Sequence, residues 1–250
     1  YMAKKRVSLT LEEEAVERLD REAERENLNR SKMVGEILEE YFSERAINTA
    51  VILCGDEEMK SLRLYKGKPV LEHVLDHLAQ QGISRAVMLA GRNDEIRDRF
   101  GENYEDIELE YVREEDPQGT AAALAEAEER LDRSFVLVNG HVISDVDLRE
   151  MARAHNEESS VATMALTTVG EPSRYGVARM KGSKVLGFEE KPEPGEEPSR
   201  LINAGTYILE PDIFERLDRD SLEAVFEDLA EEAELSGYIY GGEWVDIDEY

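Results

Sequence analysis

The sequence predicts an α/β protein in two parts, and three patterns support this prediction. Val7, Leu9 and Leu11 alternate with polar residues, which is the period of a half-buried strand. Two helical patterns follow that strand directly. From residue 47 onward, short apolar strands alternate with amphipathic helices, an order typical of a sheet covered by helices. We therefore expect a small strand-helix-helix domain at residues 1–46 and an α/β domain at residues 47–250.

The first strand, predicted at residues 5–11, has no partner strand in the small domain. We expect it to pair with the same strand of a second copy of the chain. Its polar face carries Arg6, Ser8 and Thr10. A two-stranded ribbon of this kind fits the major groove of DNA.

Two helices should complete the small domain. Val16, Leu19 and Ala23 recur at helical spacing and predict a helix of about residues 12–26. Asn29 or Ser31 can cap the second helix. The apolar face of that helix is formed by Val34, Ile37, Leu38, Tyr41 and Phe42.

This order of a strand, a helix, an Asn-rich turn and a second helix resembles the ribbon-helix-helix family of DNA-binding proteins. The resemblance implies a homodimer on double-stranded DNA in which Arg6, Ser8 and Thr10 reach base edges. It also implies that the amides near Arg30, Ser31 and Lys32 hold a backbone phosphate, while Lys4 and Lys5 add contacts that do not depend on sequence. The alternative is a dimerisation domain whose strand carries no sequence information.

The large domain should contain alternating strands and helices. Helices are predicted at residues 71–81, 94–100, 121–131, 212–217 and 222–234. Strands are predicted at residues 50–53, 86–90, 107–112, 135–139, 161–168, 176–180, 184–190, 205–209, 238–240 and 244–247.

Seven short motifs follow one another along the large domain. They are Gly67-Lys68-Pro69, Pro117-Gln118-Gly119-Thr120, Asn139-Gly140-His141, Arg174-Tyr175-Gly176, Glu189-Glu190-Lys191-Pro192, Asn203-Ala204-Gly205 and Trp244-Val245-Asp246. Their order and spacing resemble the sugar-phosphate nucleotidylyltransferase family, whose members join a nucleoside triphosphate to a sugar 1-phosphate. The resemblance implies a Rossmann-like (GT-A-like) mixed sheet flanked by helices.

The catalytic features of that family are altered here. The family's glycine-rich phosphate loop after the first strand is shortened, and Asp56, Glu57 and Glu58 follow Gly55. His141 stands where the family has an Asp that binds Mg²⁺, and imidazole is a poor ligand for this hard cation. Asp246 matches the other metal-binding Asp. We therefore expect no catalytic residues and a pseudoenzyme that requires no cofactor.

The positions that hold sugar and phosphate in the family are better kept. The resemblance implies that Lys191 pairs with phosphate and Glu190 with a sugar hydroxyl. Backbone at Gly119 and Thr120 would lie close to the nucleotide. Gly176, Asn203 and Gly205 match further positions on the sugar-phosphate side. These glycines and Asn203 can equally serve the fold alone, and that alternative stays open here.

These observations lead to one main hypothesis and two alternatives. The main hypothesis is a transcriptional regulator whose large domain senses a sugar phosphate or nucleotide, or mediates oligomerisation. The first alternative is an active, Mg²⁺-dependent sugar-1-phosphate nucleotidylyltransferase with an autoregulatory DNA-binding domain. The second is a large domain that serves assembly alone.

The charge is unevenly distributed along the chain. The protein has 250 residues and a net charge of −28. Residues 1–46 carry 9 basic and 12 acidic residues, whereas residues 47–250 carry 21 and 46. Such an acidic body repels nucleic acid, so DNA contact should be concentrated in the small domain. With 21 Arg and 9 Lys, the composition also resembles that of halophilic archaeal proteins.

The sequence shows no apolar run of membrane-spanning length and no signal-peptide pattern. A single cysteine, Cys54, excludes an intramolecular disulfide and fits a reducing compartment. We therefore expect a cytoplasmic protein without a membrane partner.

Overall fold

The computed structural model describes residues 7–26, 28–45, 47–55, 58–91, 94–113 and 119–250. Contacts between Cα atoms divide the chain into two compact units, Tyr1–Ala46 and Ile47–Tyr250.

The first unit contains the two helices that the sequence predicts. Helix α1 spans Glu13–Arg25 and helix α2 spans Arg30–Arg45. Leu19 and Ala23 of α1 pack with Met33 of α2 in a small core. This core covers only part of the apolar surface of the unit.

The stretch before α1 forms no strand in the single chain over residues 7–12. Val7, Leu9 and Leu11 are 71%, 61% and 46% exposed. A strand needs a neighbour to complete its backbone hydrogen bonds, and the expected neighbour belongs to a second copy. The predicted ribbon therefore stays a prediction.

The second unit alternates strands with helices from its start. Its helices are α3 Val70–Gln81, α4 Glu95–Phe100, α5 Thr120–Ala125, α6 Leu148–Glu158 and α7 Leu222–Glu231. Its strands are β1 Thr49–Leu53, β2 Leu64–Tyr65, β3 Lys68–Pro69, β4 Arg85–Leu89, β5 Asn103–Tyr104, β6 Ile107–Val112, β7 Phe135–Asn139, β8 Val142–Ser144, β9 Ala162–Thr168, β10 Gly176–Lys181, β11 Lys184–Glu190, β12 Leu201–Leu209, β13 Leu235–Ile239 and β14 Trp244–Asp246. Short 3-10 turns lie at Lys60–Leu62, Glu128–Arg130, Pro172–Arg174, Pro211–Arg216 and Ile247–Glu249.

In the described residues, ten strands form one mixed sheet in the order β10-β11-β13-β9-β12-β7-β1-β4-β6-β5. Strand β1 runs parallel to both β4 and β7, whereas β12 runs antiparallel to β7 and β9. Two further pairs, β2 with β3 and β8 with β14, lie outside this sheet. The predicted mixed sheet flanked by helices is confirmed.

The sheet is buried on both faces, as a mainly apolar strand such as β1 requires. Val51 belongs to one core, which includes residues of α5 and α7. Ala50 and Ile52 belong to the other core, which includes residues of α3, α4 and α6. The central strands are thereby held between two helical layers, and their ends are placed rigidly.

Several elements differ from the prediction. Strands β2, β3, β5 and β8 were not predicted, and β12 and β13 begin at residues 201 and 235 rather than 205 and 238. The helix predicted at residues 121–131 ends at Ala125 and is followed by the 3-10 turn Glu128–Arg130. The amide of Ala127 donates to the carbonyl of Leu124, three residues earlier, whereas an α-helix would use the carbonyl four residues earlier. The predicted helix at residues 212–217 is a 3-10 turn. Helix α6 was not predicted, although Asp147 caps it by accepting from the amides of Arg149 and Glu150.

Within the described ranges, no helix is both long enough and apolar enough to cross a membrane.

Candidate functional site

A cleft of about 770 Å³ opens at the carboxyl ends of the central strands. Leu53 ends β1, Leu89 ends β4 and Asn139 ends β7, and all three line the cleft. Ligands of open α/β sheets bind at this edge. The volume lies in the range of small-molecule sites.

Every residue that the sequence analysis assigned to ligand or metal binding lines this one cleft. These residues are Gly119, Thr120, Gly176, Glu190, Lys191, Asn203, Gly205 and Asp246. The motifs that carry them are spread over more than half of the chain, and the sheet brings them together. Whether they hold a ligand stays a prediction.

Close packing within the fold explains why three positions of the cleft are occupied by glycine. A Cβ at Gly119 would collide with the carbonyl oxygen of Asp220, and its φ of +100° is unfavourable for other residues. A Cβ at Gly176 would collide with the ring of Phe188. At Gly205 it would lie 2.8 Å from Nδ2 of Asn139. The glycine positions alone therefore do not argue for a ligand.

Two polar candidates are also engaged by the chain itself. Asn203 donates from Nδ2 to the hydroxyl of Tyr207 at 2.6 Å and accepts at Oδ1 from the amide of Gly205 at 3.0 Å. Thr120 Oγ1 accepts from the amide of Leu222, the first residue of α7, at 3.1 Å. Both side chains thus support the walls of the cleft.

Glu190 ends strand β11 at the cleft, and Lys191 follows it directly. Burial, followed by the negative charge of Glu223, raises the pKa of Glu190 above its usual value. Lys191 Nζ lies 3.6 Å from Glu190 Oε1, and its side chain is 68% exposed. The amide of Lys191 donates to the carbonyl of Tyr175, which fixes its backbone while the ammonium group remains accessible.

His141 and Asp246 are neighbours because β14 pairs with β8. In that register Asp246 lies opposite Val142, the residue after His141. Asp246 Oδ1 accepts from the amide of Asp248 at 3.0 Å. The same turn brings Asp248 into the lining of the cleft.

The acidic side chains at this end of the cleft do not fit a magnesium site. Asp248 already accepts from Lys60 at 2.7 Å and from Arg63 at 3.2 Å. Burial alone would raise the pKa of Asp248, but the Lys60 hydrogen bond and the charges of Lys60, His141 and Arg63 together lower it. The carboxylate of Asp246 is engaged by the amide of Asp248, and among the described residues no group of three candidate metal ligands occurs.

The cationic side chains of the cleft were the main omission of the sequence analysis. Lys60, Arg174 and Lys191 all line it, and only Lys191 was assigned a role. Arg174 donates to Glu249 at 2.8 Å. The spacing of Lys60 before Gly67 gave no clear signal, because the segment between Gly55 and Gly67 is shortened.

Two aromatic rings form part of the wall. Tyr175 and Trp244 pack edge to face with centroids 5.1 Å apart. Trp244 donates from Nε1 to the carbonyl of Ala204 at 3.2 Å, so its ring is held in place.

The candidate DNA interface lies in the first unit. Ser8 and Thr10 are exposed, whereas Lys4, Lys5 and Arg6 lie outside the described residues. Asn29 caps α2, because its Oδ1 accepts from the amide of Lys32 at 3.0 Å. The amide of Lys32 is therefore already hydrogen-bonded within the chain. Of the three amides predicted to hold a DNA phosphate, those of Arg30 and Ser31 remain candidates.

The guanidinium group of Arg30 has a partner within the unit. It donates to both carboxylate oxygens of Asp20, from Nε at 2.7 Å and from Nη2 at 2.6 Å. The hydrogen bond from Arg30 lowers the pKa of Asp20. In this structure the Arg30 side chain joins α2 to α1, and the phosphate clamp predicted for the amides near Arg30 stays a prediction.

Comparison with known families assigns both units. The Nucleotidyl transferase family matches residues 53–249. The ribbon-helix-helix protein family of copG type matches residues 5–44.

Curated relatives match about 200 residues of the chain. The chain is 34% identical over 199 residues to a mannose-1-phosphate guanyltransferase of Yarrowia lipolytica, covering 75% of this chain and 54% of that protein. It is 33% identical over 198 residues to the catalytic subunit beta of a mannose-1-phosphate guanylyltransferase of Drosophila pseudoobscura pseudoobscura, covering 75% and 53%. The chain thus spans about half the length of the curated relatives it matches.

Solved structures share the fold. HddC from Yersinia pseudotuberculosis, complexed with GMP-PN, superposes with a TM-score of 0.69 at 23% identity, covering 80% of this chain and 94% of that one. A UDP-glucose pyrophosphorylase complexed with UDP-glucose superposes with a TM-score of 0.71 at 20% identity, covering 81% and 94%. The chain therefore belongs to the nucleotidyl transferase family and carries an N-terminal ribbon-helix-helix domain.

Proposed function

We propose that this protein is a transcriptional regulator that binds double-stranded DNA as a homodimer through residues 1–46. The observation that carries this proposal is the ribbon-helix-helix match at residues 5–44. Val7, Leu9 and Leu11 support it, because they are exposed in the single chain. Pairing with a second copy would remove this apolar surface from water.

In this proposal the cleft of the larger unit binds a sugar phosphate, a nucleotide or a nucleotide sugar. The polar lining, with Lys60, Arg174 and Lys191 beside Glu190 and Asp246, suits a ligand that carries both hydroxyl and phosphate groups. A ligand that prefers one DNA-binding state of the dimer would shift the affinity for DNA. The body, with a charge of −25 over residues 47–250 as given by its 21 basic and 46 acidic residues, would discourage non-specific binding.

DNA binding is tested by selecting operator sequences from a random pool with the full chain. Mobility shifts on the selected site are then compared for the wild type, Arg6→Ala and Thr10→Ala. We expect both changes to reduce the preference for the selected site over random DNA, because they remove base contacts. Arg18→Ala removes an exposed cation of α1 and serves as the matched control. Unchanged preference in both variants would contradict the proposal.

The proposal that a ligand of the cleft regulates DNA binding is tested by repeating the mobility-shift assay in the presence of mannose 1-phosphate and of GDP-mannose. A change in the affinity for the selected site supports it. Binding of either probe to the protein with no effect on DNA affinity would contradict the regulatory link.

The second candidate is an active sugar-1-phosphate nucleotidylyltransferase. The relatives named as mannose-1-phosphate guanylyltransferases, at 33–34% identity, favour it. This candidate requires release of pyrophosphate from GTP and mannose 1-phosphate in the presence of Mg²⁺. That activity should be abolished by Asp246→Ala and retained in Asp212→Asn, an exposed carboxylate outside the cleft. Absence of turnover in the wild type across nucleoside triphosphates and sugar 1-phosphates would remove this candidate.

A further inference from the structure

Two cations that line the cleft, Lys60 and Arg174, are held by carboxylates of a single short turn. Arg63, outside the lining, is shared between this turn and Glu58, which accepts from it at 2.9 Å. Asp248 of the 3-10 turn Ile247–Glu249 accepts from Lys60 at 2.7 Å and from Arg63 at 3.2 Å. The next residue, Glu249, accepts from Arg174 at 2.8 Å and from the hydroxyl of Tyr175. Two adjacent residues thus place negative charge on cations from two different parts of the chain.

These cations come from two different positions in the sheet order. Lys60 and Arg63 follow β1, in the centre of the sheet, whereas Arg174 precedes β10 at its edge. The two carboxylates of the turn bridge these two groups of cations. A diphosphate, which also carries two linked anionic groups, could bridge them in the same way. Phosphate oxygens are strong acceptors for Lys and Arg donors, and Arg binds phosphate through two donors at once.

The carboxylates of the turn are displaceable. The side chains of Asp248 and Glu249 are 38% and 37% exposed, and that of Arg63 is 43% exposed. Ion pairs with this degree of exposure contribute little to stability, because water and salt screen them. A ligand anion of higher charge can therefore replace them.

Among the residues that the structure describes, the cleft also lacks a set of oxygen ligands that would let a divalent cation neutralise the phosphate charge. His141 stands beside Asp246, and Asp248 is engaged by two cations. Mg²⁺ prefers several oxygen ligands. In the described residues the positive charge available to a phosphate comes from side chains.

We infer that the cleft binds the phosphate or diphosphate group of its ligand without a divalent cation, and that this group takes Lys60 from Asp248 and Arg174 from Glu249. The inference deepens the ligand-binding half of the proposed function and rests on it. The protein would thus replace the metal of an active transferase with its own cations. These cations are held by internal carboxylates until the ligand arrives.

The test is calorimetric titration of the full chain with inorganic pyrophosphate, at matched ionic strength, in EDTA and in Mg²⁺. We expect binding in EDTA that is equal to or tighter than binding in Mg²⁺, because Mg²⁺ complexes free pyrophosphate in solution. Binding that requires Mg²⁺ would overturn the inference and leave ligand sensing intact. No binding in either buffer would overturn the inference and the ligand-binding half of the proposed function together, while DNA binding would be judged separately.

Variants distinguish replacement of the turn's carboxylates by the ligand phosphate from a general effect of net charge. Asp248→Asn should tighten pyrophosphate binding by about two- to fivefold, the effect of removing a partly exposed competing ion pair. Asp212→Asn changes the net charge equally at an exposed site outside the cleft, and it should have a smaller effect. Lys60→Ala should weaken binding about tenfold, whereas Lys181→Ala, an exposed cation outside the cleft, should not. Weaker binding in Asp248→Asn would overturn the exchange.

Discussion

Arg30 and Asp20 form a two-point ion pair that joins the helices of the DNA-binding unit. Arg30 Nε and Nη2 lie 2.7 Å and 2.6 Å from the two carboxylate oxygens of Asp20. The pair orients the start of α2, where the predicted phosphate clamp lies. The role of Arg30 in DNA binding would then be to position backbone amides, since its charge is already matched.

The salt dependence of DNA binding distinguishes this role from a direct phosphate contact. Each phosphate contact contributes about 0.9 to the slope of log K against log salt concentration. We expect Arg30→Ala to weaken binding without changing that slope. Lys5→Ala, which removes a predicted phosphate contact, should reduce the slope. A reduced slope for Arg30→Ala would mean that Arg30 leaves Asp20 and contacts DNA.

His155 should be important for the stability of the larger unit. Its side chain is 3% exposed, and Nε2 donates to Glu210 at 2.8 Å while Nδ1 lies 2.8 Å from Thr163 Oγ1. This hydrogen bond is the main cause of the lowered pKa of Glu210. His155→Leu should cost about 2 kcal/mol of unfolding free energy, because it removes the buried hydrogen bonds to Glu210 and Thr163. Urea unfolding followed through the fluorescence of Trp244, the single tryptophan, measures it.

A conservative change at the partner residue serves as the control for that prediction. Glu210→Gln keeps an acceptor for His155 and for Ser134, which also donates to Glu210 at 2.8 Å. It should therefore cost less than His155→Leu. Equal costs for the two variants would show that the charge of Glu210, rather than hydrogen bonding, is decisive.

Gly119 should tolerate no side chain. It has a φ of +100° and a ψ of 176°, and a Cβ would collide with the carbonyl oxygen of Asp220. Gly119→Ala should cost about 3 kcal/mol, because it adds this collision to backbone strain. Gly182→Ala is the matched control, with a φ of +62° and open space around the position, and should cost about 1 kcal/mol. Similar costs in urea unfolding would contradict the role of Asp220.

Glu190 should make stability depend on pH in a predictable direction. Burial and the charge of Glu223 raise its pKa in the folded protein, with Glu227 adding to this and Lys191 opposing it. Because the pKa of Glu190 is higher in the folded than in the unfolded protein, its protonation stabilises the fold. This contribution to the free energy of unfolding is complete below the pKa of the unfolded state, about 4.3, and is lost as the pH rises through the pKa of the folded state. Glu190→Gln should therefore raise the melting temperature at pH 7 by less than about 4 °C and give no gain at pH 4.

The exposed neighbour Glu189 provides the comparison for this pH effect. Glu189→Gln makes the same chemical change one position earlier on β11, at an exposed site. It should leave the pH profile of the melting temperature nearly unchanged. An equal gain for Glu190→Gln at pH 4 and pH 7 would exclude ionisation as the cause.

Local patterns in the sequence predicted most of the elements but missed those with short or mixed signals. Strands β6, β7 and β11 begin and end at the predicted residues, because their apolar runs are bounded by turns. Helix α6 was missed although Asp147, Leu148 and Met151 carry a cap and an apolar spacing. The helix predicted at residues 121–131 was too long, because helical periodicity does not distinguish an α-helix from the 3-10 turn that follows it.

The candidate site was predicted to a different degree for each kind of residue. Motifs with a fixed local order, such as those of Glu190 and Asp246, were located in the sequence, and the structure places them in one cleft. Lys60 and Asp248 carry no such motif, and 188 positions separate them. Their contact depends on the pairing of β14 with β8 and on the turn that follows β14.

The sequence by itself determined the two-part organisation and the α/β class, because these depend on local periodicity and on short motifs. Only the tertiary structure decided which charges meet. It paired Arg30 with Asp20, and Lys60 and Arg63 with Asp248. The physical reason is that an ion pair requires groups within a few ångströms of each other, and sheet order and register set such distances between residues far apart in the chain.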